Sequence, residues 1–161
     1  MIQTTVSFIV DELNDYIRLR FNTDDDKVIL SSISNLDGSP AIKEENKIIA
    51  TLVGIEQERM INAGSQFATG GGSFAKSNPP IFLNLFILFS TSFPGNLTTE
   101  ALRFIGVVIG FFQGKNVFTP ENSPNLDSSI EKLVFNIYNT TFQEQNHLWA
   151  ALGAKYVPSV L

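Results

Sequence analysis

The chain contains no cysteine and a single histidine among 161 residues. Those two facts remove a disulfide framework, a thiolate metal site, a cysteine nucleophile and a nitrogen- or sulfur-rich zinc site. Lysine and arginine number 11 against 16 acidic residues, with no basic run, a net charge of −5 and a sequence pI of about 4.8. The electrostatic footprint of a nucleic-acid binder is absent, so no nucleic-acid partner is expected. No apolar run approaches the roughly 20 residues that span a bilayer, so no membrane insertion by this chain is expected. Met1-Ile2-Gln3-Thr4-Thr5 carries no basic residue before Asp11, Glu12 and Asp15 interrupt the apolar positions, which is not the pattern of a secretion signal.

Apolar residues are plentiful: 43% of the chain, fourteen of them Phe. That suffices for one domain, 1–161, with a real core. Ile81 to Phe89 is interrupted by only one polar residue, Asn84, and lies between Pro79-Pro80 and Ser90-Thr91-Ser92. Its brevity and flanking prolines predict a central strand buried on both faces. Val6, Ile9, Val10, Leu13, Ile17 and Phe21 recur at helical spacing and predict a first helix over 4–21.

Lys27 to Ser34 and Lys47 to Gln57 are rich in Val, Ile and Thr around the turn signal Asp37-Gly38-Ser39-Pro40, predicting a long-looped hairpin. The second strand is apolar at nearly every position from Ile48 to Ile55. A second helix is predicted over 97–113, capped by Thr98 or Asn96, with Leu102, Phe104, Ile105, Val107, Val108, Ile109, Phe111 and Phe112 around its circumference. Glu131 to Tyr138 reads as a strand. Thr141 and Glu144 have capping-box spacing and open a third helix, anchored by Phe142, Leu148, Trp149 and Leu152 and ended by Gly153. The predicted class is α+β, in the order α-β-β-β-α-β-α-β, with three helices on a mostly antiparallel central sheet.

Candidate chemistry is sparse. His147 sits beside Leu148 and Trp149 without a nucleophile elbow to serve. Asp24-Asp25-Asp26 lacks the alternating ligands and later Glu of a calcium loop and reads as a solvated turn. Gly70-Gly71-Gly72-Ser73-Phe74-Ala75-Lys76-Ser77 imitates a phosphate loop, but prolines and a strand follow it where a helix is needed. Asn96-Leu97-Thr98 and Asn139-Thr140-Thr141 match the glycosylation sequon, a pattern that matters only in a secretory pathway. No catalytic, cofactor or metal residue is assigned, and no enzyme is expected. The period-free segment over 62–80, with Phe67 and Phe74 among small residues, reads as a long flexible loop that orders on a partner. Phe67, Phe74, Gly70, Gly71 and Gly72, together with Phe111, Phe112, Ile49 and Val53, are the candidate assembly interface.

The opening Ile2-Gln3-Thr4-Thr5-Val6-Ser7-Phe8-Ile9-Val10-Asp11-Glu12-Leu13-Asn14, the strand Pro79-Pro80-Ile81-Phe82-Leu83-Asn84-Leu85-Phe86 and the close from His147-Leu148-Trp149-Ala150-Ala151-Leu152-Gly153 to Tyr156-Val157-Pro158-Ser159-Val160-Leu161 resemble the tube-terminator, or cap, proteins of contractile injection systems, the phage-tail-like particles of the antifeeding-prophage type. The resemblance runs through essentially the whole chain. It implies a phage tail-terminator-like fold and a structural cap: a ring, usually a hexamer, that ends the inner tube and joins it to the last sheath layer. It also implies tube, sheath and paralogous cap proteins as partners, with assembly in the bacterial cytoplasm and release of some particles. Family members continue past the Pro-Ser-Val close with a further strand, so the last strand here is expected to be short. Two other readings stay open: an α+β small-ligand-binding module or enzyme with its site near Asn62 to Asn78, and a baseplate or sheath-associated adaptor of the same particle.

Overall fold

The computed structural model describes residues 1–58 and 81–161. Three α-helices and a mixed sheet form an α+β arrangement, as expected. Helix α1 (Ile2–Phe21) buries the predicted stripe Val6, Ile9, Val10, Leu13 and Ile17. It ends at Asn22, whose left-handed backbone (φ 48°) returns its N–H to the Arg18 carbonyl. Strands β1 (Val28–Leu30), β2 (Lys47–Gln57) and β3 (Leu83–Ser92) follow. Helix α2 (Thr98–Gly114), the short ladder of β4 (Val117–Phe118) with β5 (Leu133–Val134), α3 (Phe142–Ala151) and β6 (Ser159–Val160) complete the chain.

The main sheet has the order β1-β2-β3-β6. On one face α1 and α2 bury Ile48, Ala50, Ile87 and Phe89 in the main core with Phe104, Val108, Phe111, Phe112 and Phe118. On the other, Ile49 and Ser90 lie beneath Trp149 of α3 and the 33–45 connection. The Ser34 hydroxyl ties that connection to the Leu152 carbonyl. The central strands are therefore covered on both sides, but only over part of their length: β3 is buried from Ile87 to Thr91 and open from Leu83 to Asn84.

Several expectations are corrected. β1 and β2 run parallel, Val28 opposite Ile48, so they are not a hairpin. The Asp37-Gly38-Ser39 turn exists, with Gly38 at φ 80° and Asp37 accepting from Ser39, but it lies inside the crossover that parallel neighbours require. Between Glu131 and Tyr138 only Leu133–Val134 forms a strand, and its partner β4 was not anticipated. Neither Thr98 nor Asn96 caps α2: Leu97 occupies that position after a 3-10 turn, and the Thr98 hydroxyl donates to the Gly95 carbonyl. The capping box of α3 forms as expected, Glu144 N–H to the Thr141 hydroxyl and Thr141 N–H to the Glu144 carboxylate. Phe142 does not anchor that helix, being 92% exposed, whereas Trp149 is buried.

Candidate functional site

Charged side chains are used mainly to tie elements together. Asp25 receives hydrogen bonds from Lys27 and Lys47, which hold its carboxyl below the usual carboxylate range and join the starts of β1 and β2. Arg18 bridges Asp15 and Asp26, and its guanidinium is held protonated above its usual value chiefly by the bond to Asp15. Asp25 and Asp26 of the acidic triplet thus pair with three cations of their own chain. Lys115 donates to the Asn122 carbonyl and the Ser123 hydroxyl and lies 4.6 Å from the centre of the Phe118 ring, pinning the end of α2 to the following loop. His147 is exposed on α3. Among the described residues no cluster of three or more His, Asp or Glu could hold a metal ion, and no helix is long and apolar enough to cross a membrane.

The surfaces that remain are apolar. Helix α2 turns Phe104, Val107, Val108, Phe111 and Phe112 inward. Leu102 and Ile109 face out, 56% and 36% exposed, on the same side as Gly106 and Gly110. A β-carbon built on Gly106, Gly110 or Gly114 would meet nothing within 4 Å among the described residues. Spacing of four residues places these glycines in one row that begins at Leu102, with Ile109 beside it.

A second surface lies at the far end of the β2–β3 ladder. β1 pairs only with Ile48 to Ala50, and β6 only with Phe89 and Ser90. Leu52–Gln57 and Leu83–Ile87 therefore continue as a two-stranded ribbon with no further strand on either side among the described residues. A bulge between Leu52 and Gly54 inserts Val53 and shifts the side-chain alternation, so that Ile55 pairs with Leu85 and is half exposed. Ile81, Phe82 and Leu83 are also exposed.

Along the outer edge of β3 runs a groove of about 490 Å³ between Leu83–Ile87 and the extended segment 133–138, with Phe89 and Phe112 at its base. On the opposite face of the sheet a wider cavity is lined by Ile49, Ser90, Phe93, Trp149 and Val157. There the Ser90 hydroxyl and the Trp149 indole N–H are buried without a hydrogen-bond partner among the described residues.

The residues proposed from sequence as an interface fall in three places. Phe67, Phe74, Gly70, Gly71 and Gly72 lie outside the described residues. Phe111 and Phe112 are inside the subunit's own core, Phe111 against Tyr16 and Phe118, Phe112 against Phe89 and Phe135. Ile49 is buried under the α3 layer and Val53 is half-buried at the bulge. On α2 and the ribbon the outward apolar residues are instead Leu102, Ile109, Ile55 and Leu83, with Phe82 next to them. Helical phase distinguishes Leu102 and Ile109 from the inward phenylalanines, because the row through Gly106 and Gly110 marks the side with least apolar bulk.

Comparison with curated proteins finds no match to this chain. Residues 4–161 match the family model described as the Pvc16 N-terminal domain. Nearly the whole sequence is included in that match, and the chain belongs to the Pvc16 N-terminal domain family, a structural family associated with phage-tail-like particles.

Proposed function

We propose that the chain is a tail-terminator, or cap, subunit of a contractile injection system, a non-enzymatic protein that closes into a six-fold ring, ends the inner tube and joins it to the last sheath layer. The observation that carries the reading is the outer face of α2. Gly in a helix interior is less favourable than Ala by roughly 1 kcal/mol, and at Gly106 and Gly110 no neighbour among the described residues requires the missing side chain. A neighbouring subunit lying close against the helix supplies the reason.

A closed ring built from one repeated contact needs two different complementary patches per subunit. The outer face of α2 and the exposed apolar ribbon of Ile55, Phe82 and Leu83 supply two such patches on separate elements. The function is mechanical: occupying the tube end stops polymerisation and fixes particle length, and a second contact with the sheath transmits contraction.

Light scattering combined with negative-stain imaging, on the protein alone and mixed with purified inner tubes, tests this reading. Six-fold rings, free or seated at one tube end, are expected. A protein that stays monomeric in both conditions overturns it, and label confined to the baseplate end of intact particles places the chain in the adaptor role instead.

A further inference from the structure

We propose that the cavity between the sheet, the 33–45 connection and α3 binds a small organic carboxylate with an apolar body, its carboxyl group meeting Ser90 and Trp149. The inference stands apart from the ring, because none of the residues involved belongs to the two faces proposed for it.

Side-chain alternation places Ile49, Thr51, Ser90 and Ser92 on the sheet face turned away from α1 and α2. Three hydroxyls stand there. Thr51 donates to the Ser31 carbonyl at 2.7 Å and Ser92 to the Glu44 carbonyl at 3.1 Å, so the connection is fastened to the sheet near both ends. Ser90, between them, is fully buried, and its hydroxyl has no partner among the described residues. The Trp149 indole N–H, which lines the same cavity, has none either. Buried polar atoms are bonded in the large majority of cases, so two orphans in one cavity mark a place for a bound group. The indole N–H can only donate and a serine hydroxyl can also donate, so the matching group is an acceptor oxygen.

Charge and size narrow the ligand. Lys43 and Lys155 line the cavity, and their side chains make no ion pair or hydrogen bond among the described residues. Of the two acidic residues beside them, Glu44 lies 3.7 Å from Lys47, which leaves Glu45 uncommitted. Two uncommitted cations against one anion, in a chain of net charge −5, favour an anionic ligand. Ile33, Ile42, Phe93 and Val157 supply apolar walls, and the volume of about 1040 Å³ far exceeds the roughly 30 Å³ of one water.

The walls all come from within the fold. Val157 lines the cavity, whereas Val160 and Leu161 line the groove at the edge of β3. Residues 59–80 contain no Asp or Glu, so that segment has no side-chain carboxylate to offer. Both orphan atoms are closed to solvent, so entry parts the connection from α3, where the Ser34 hydroxyl bonds the Leu152 carbonyl.

Trp149 is the only tryptophan, so a single indole N–H resonance reports on the site. Phenylacetate, phenylacetamide and acetate are titrated into the purified 161-residue chain while that resonance is followed by NMR. Phenylacetate is expected to move the indole proton downfield with saturation and to bind at least about tenfold more tightly than either other probe, as a charge-assisted bond with an apolar anchor requires. Lys43→Gln and Lys155→Gln each weaken phenylacetate several-fold and leave phenylacetamide unchanged, and Glu45→Gln tightens phenylacetate. These three residues are exposed, so loss of folding does not obscure the readout. An indole resonance unmoved at about 20 mM phenylacetate, well above a millimolar dissociation constant, overturns the proposal and leaves water as the occupant. Equal shifts with all three probes, or lysine variants that bind phenylacetate like the parent, overturn it by removing selection for a carboxylate.

Discussion

The ring of Phe86 lies against Gly54, its partner across the β2–β3 ladder: a β-carbon on Gly54 would sit 3.2 Å from Phe86 Cδ2. Phe86 also meets Tyr138 edge to face, with ring centroids 5.4 Å apart, so the glycine lets a ring on the ribbon reach the segment that walls the β3 groove. Gly54→Val is expected to push Phe86 off this seat and destabilise the protein by about 1–3 kcal/mol, as overpacking does. Urea denaturation measures this, and Gly54→Ala should give a smaller loss of the same sign.

Asn14 ties α1 to the edge of the sheet. Its side-chain amide donates to the Val28 carbonyl at 2.9 Å and accepts from the Val28 N–H at 2.8 Å, all buried. Asn14→Ala leaves both backbone groups unpaired and should cost about 2–4 kcal/mol, since each buried orphan costs roughly 1–3. Equilibrium unfolding that shows less than about 1 kcal/mol would mean that water replaces the side chain at that site.

Trp149 fills space under α3 while its indole N–H finds no partner among the described residues. Trp149→Ala should cost about 3–5 kcal/mol through the cavity it opens. Trp149→Phe deletes the unpaired group and keeps much of the bulk, so the loss should be far smaller. The difference between the two thermal midpoints checks the assignment.

Five carboxyl groups are held below their ordinary range by local hydrogen bonds: Asp25 by Lys27 and Lys47, Asp37 by Ser39, Glu121 by Thr119, Asp127 by Ser129 and Glu144 by Thr141. In each, the folded pKa lies below the unfolded one. Their stabilisation is therefore present above the unfolded carboxylate range near about pH 4 and is lost as pH falls through the depressed folded values. Thermal midpoints should be flat from neutrality to about pH 5 and drop below about pH 4, with Asp25→Asn flattening that drop.

Two substitutions at Gly106 test the ring contact proposed for α2. Gly106→Ala should raise monomer stability by up to about 1 kcal/mol, because nothing within 4 Å among the described residues opposes the added carbon. Gly106→Leu should leave a folded subunit that forms no ring, seen by light scattering. A leucine variant that assembles as well as the parent would remove α2 from the interface.

Much of the helical architecture was legible in the sequence because it follows from local rules. The 3.6-residue stripe of α1, the capping box at Thr141 and Glu144, and the stop at Gly153 (φ 63°) each depend on residues within a few positions of one another. Burial of the central strand was legible only at its middle. Leu83 and Phe82 are as apolar as Leu88 and Phe89, yet β1 and β6 cover only one end of the ladder, leaving the first pair open and the second buried. In α2 the same ambiguity put Phe111 and Phe112 among the interface candidates, whereas their contacts with Tyr16, Phe89 and Phe135 place them in the core.

By itself the sequence determined the α+β class, the positions of the three helices and the poverty of catalytic groups, since composition and short-range periodicity are properties of contiguous residues. Tertiary structure alone decided that β1 runs parallel to β2, that Leu102 and Ile109 rather than Phe111 and Phe112 face outward, and that the start of β3 is exposed while its end is buried. Those outcomes depend on which distant segments cover each face and edge, and strand direction and burial are set by partners far away in the chain.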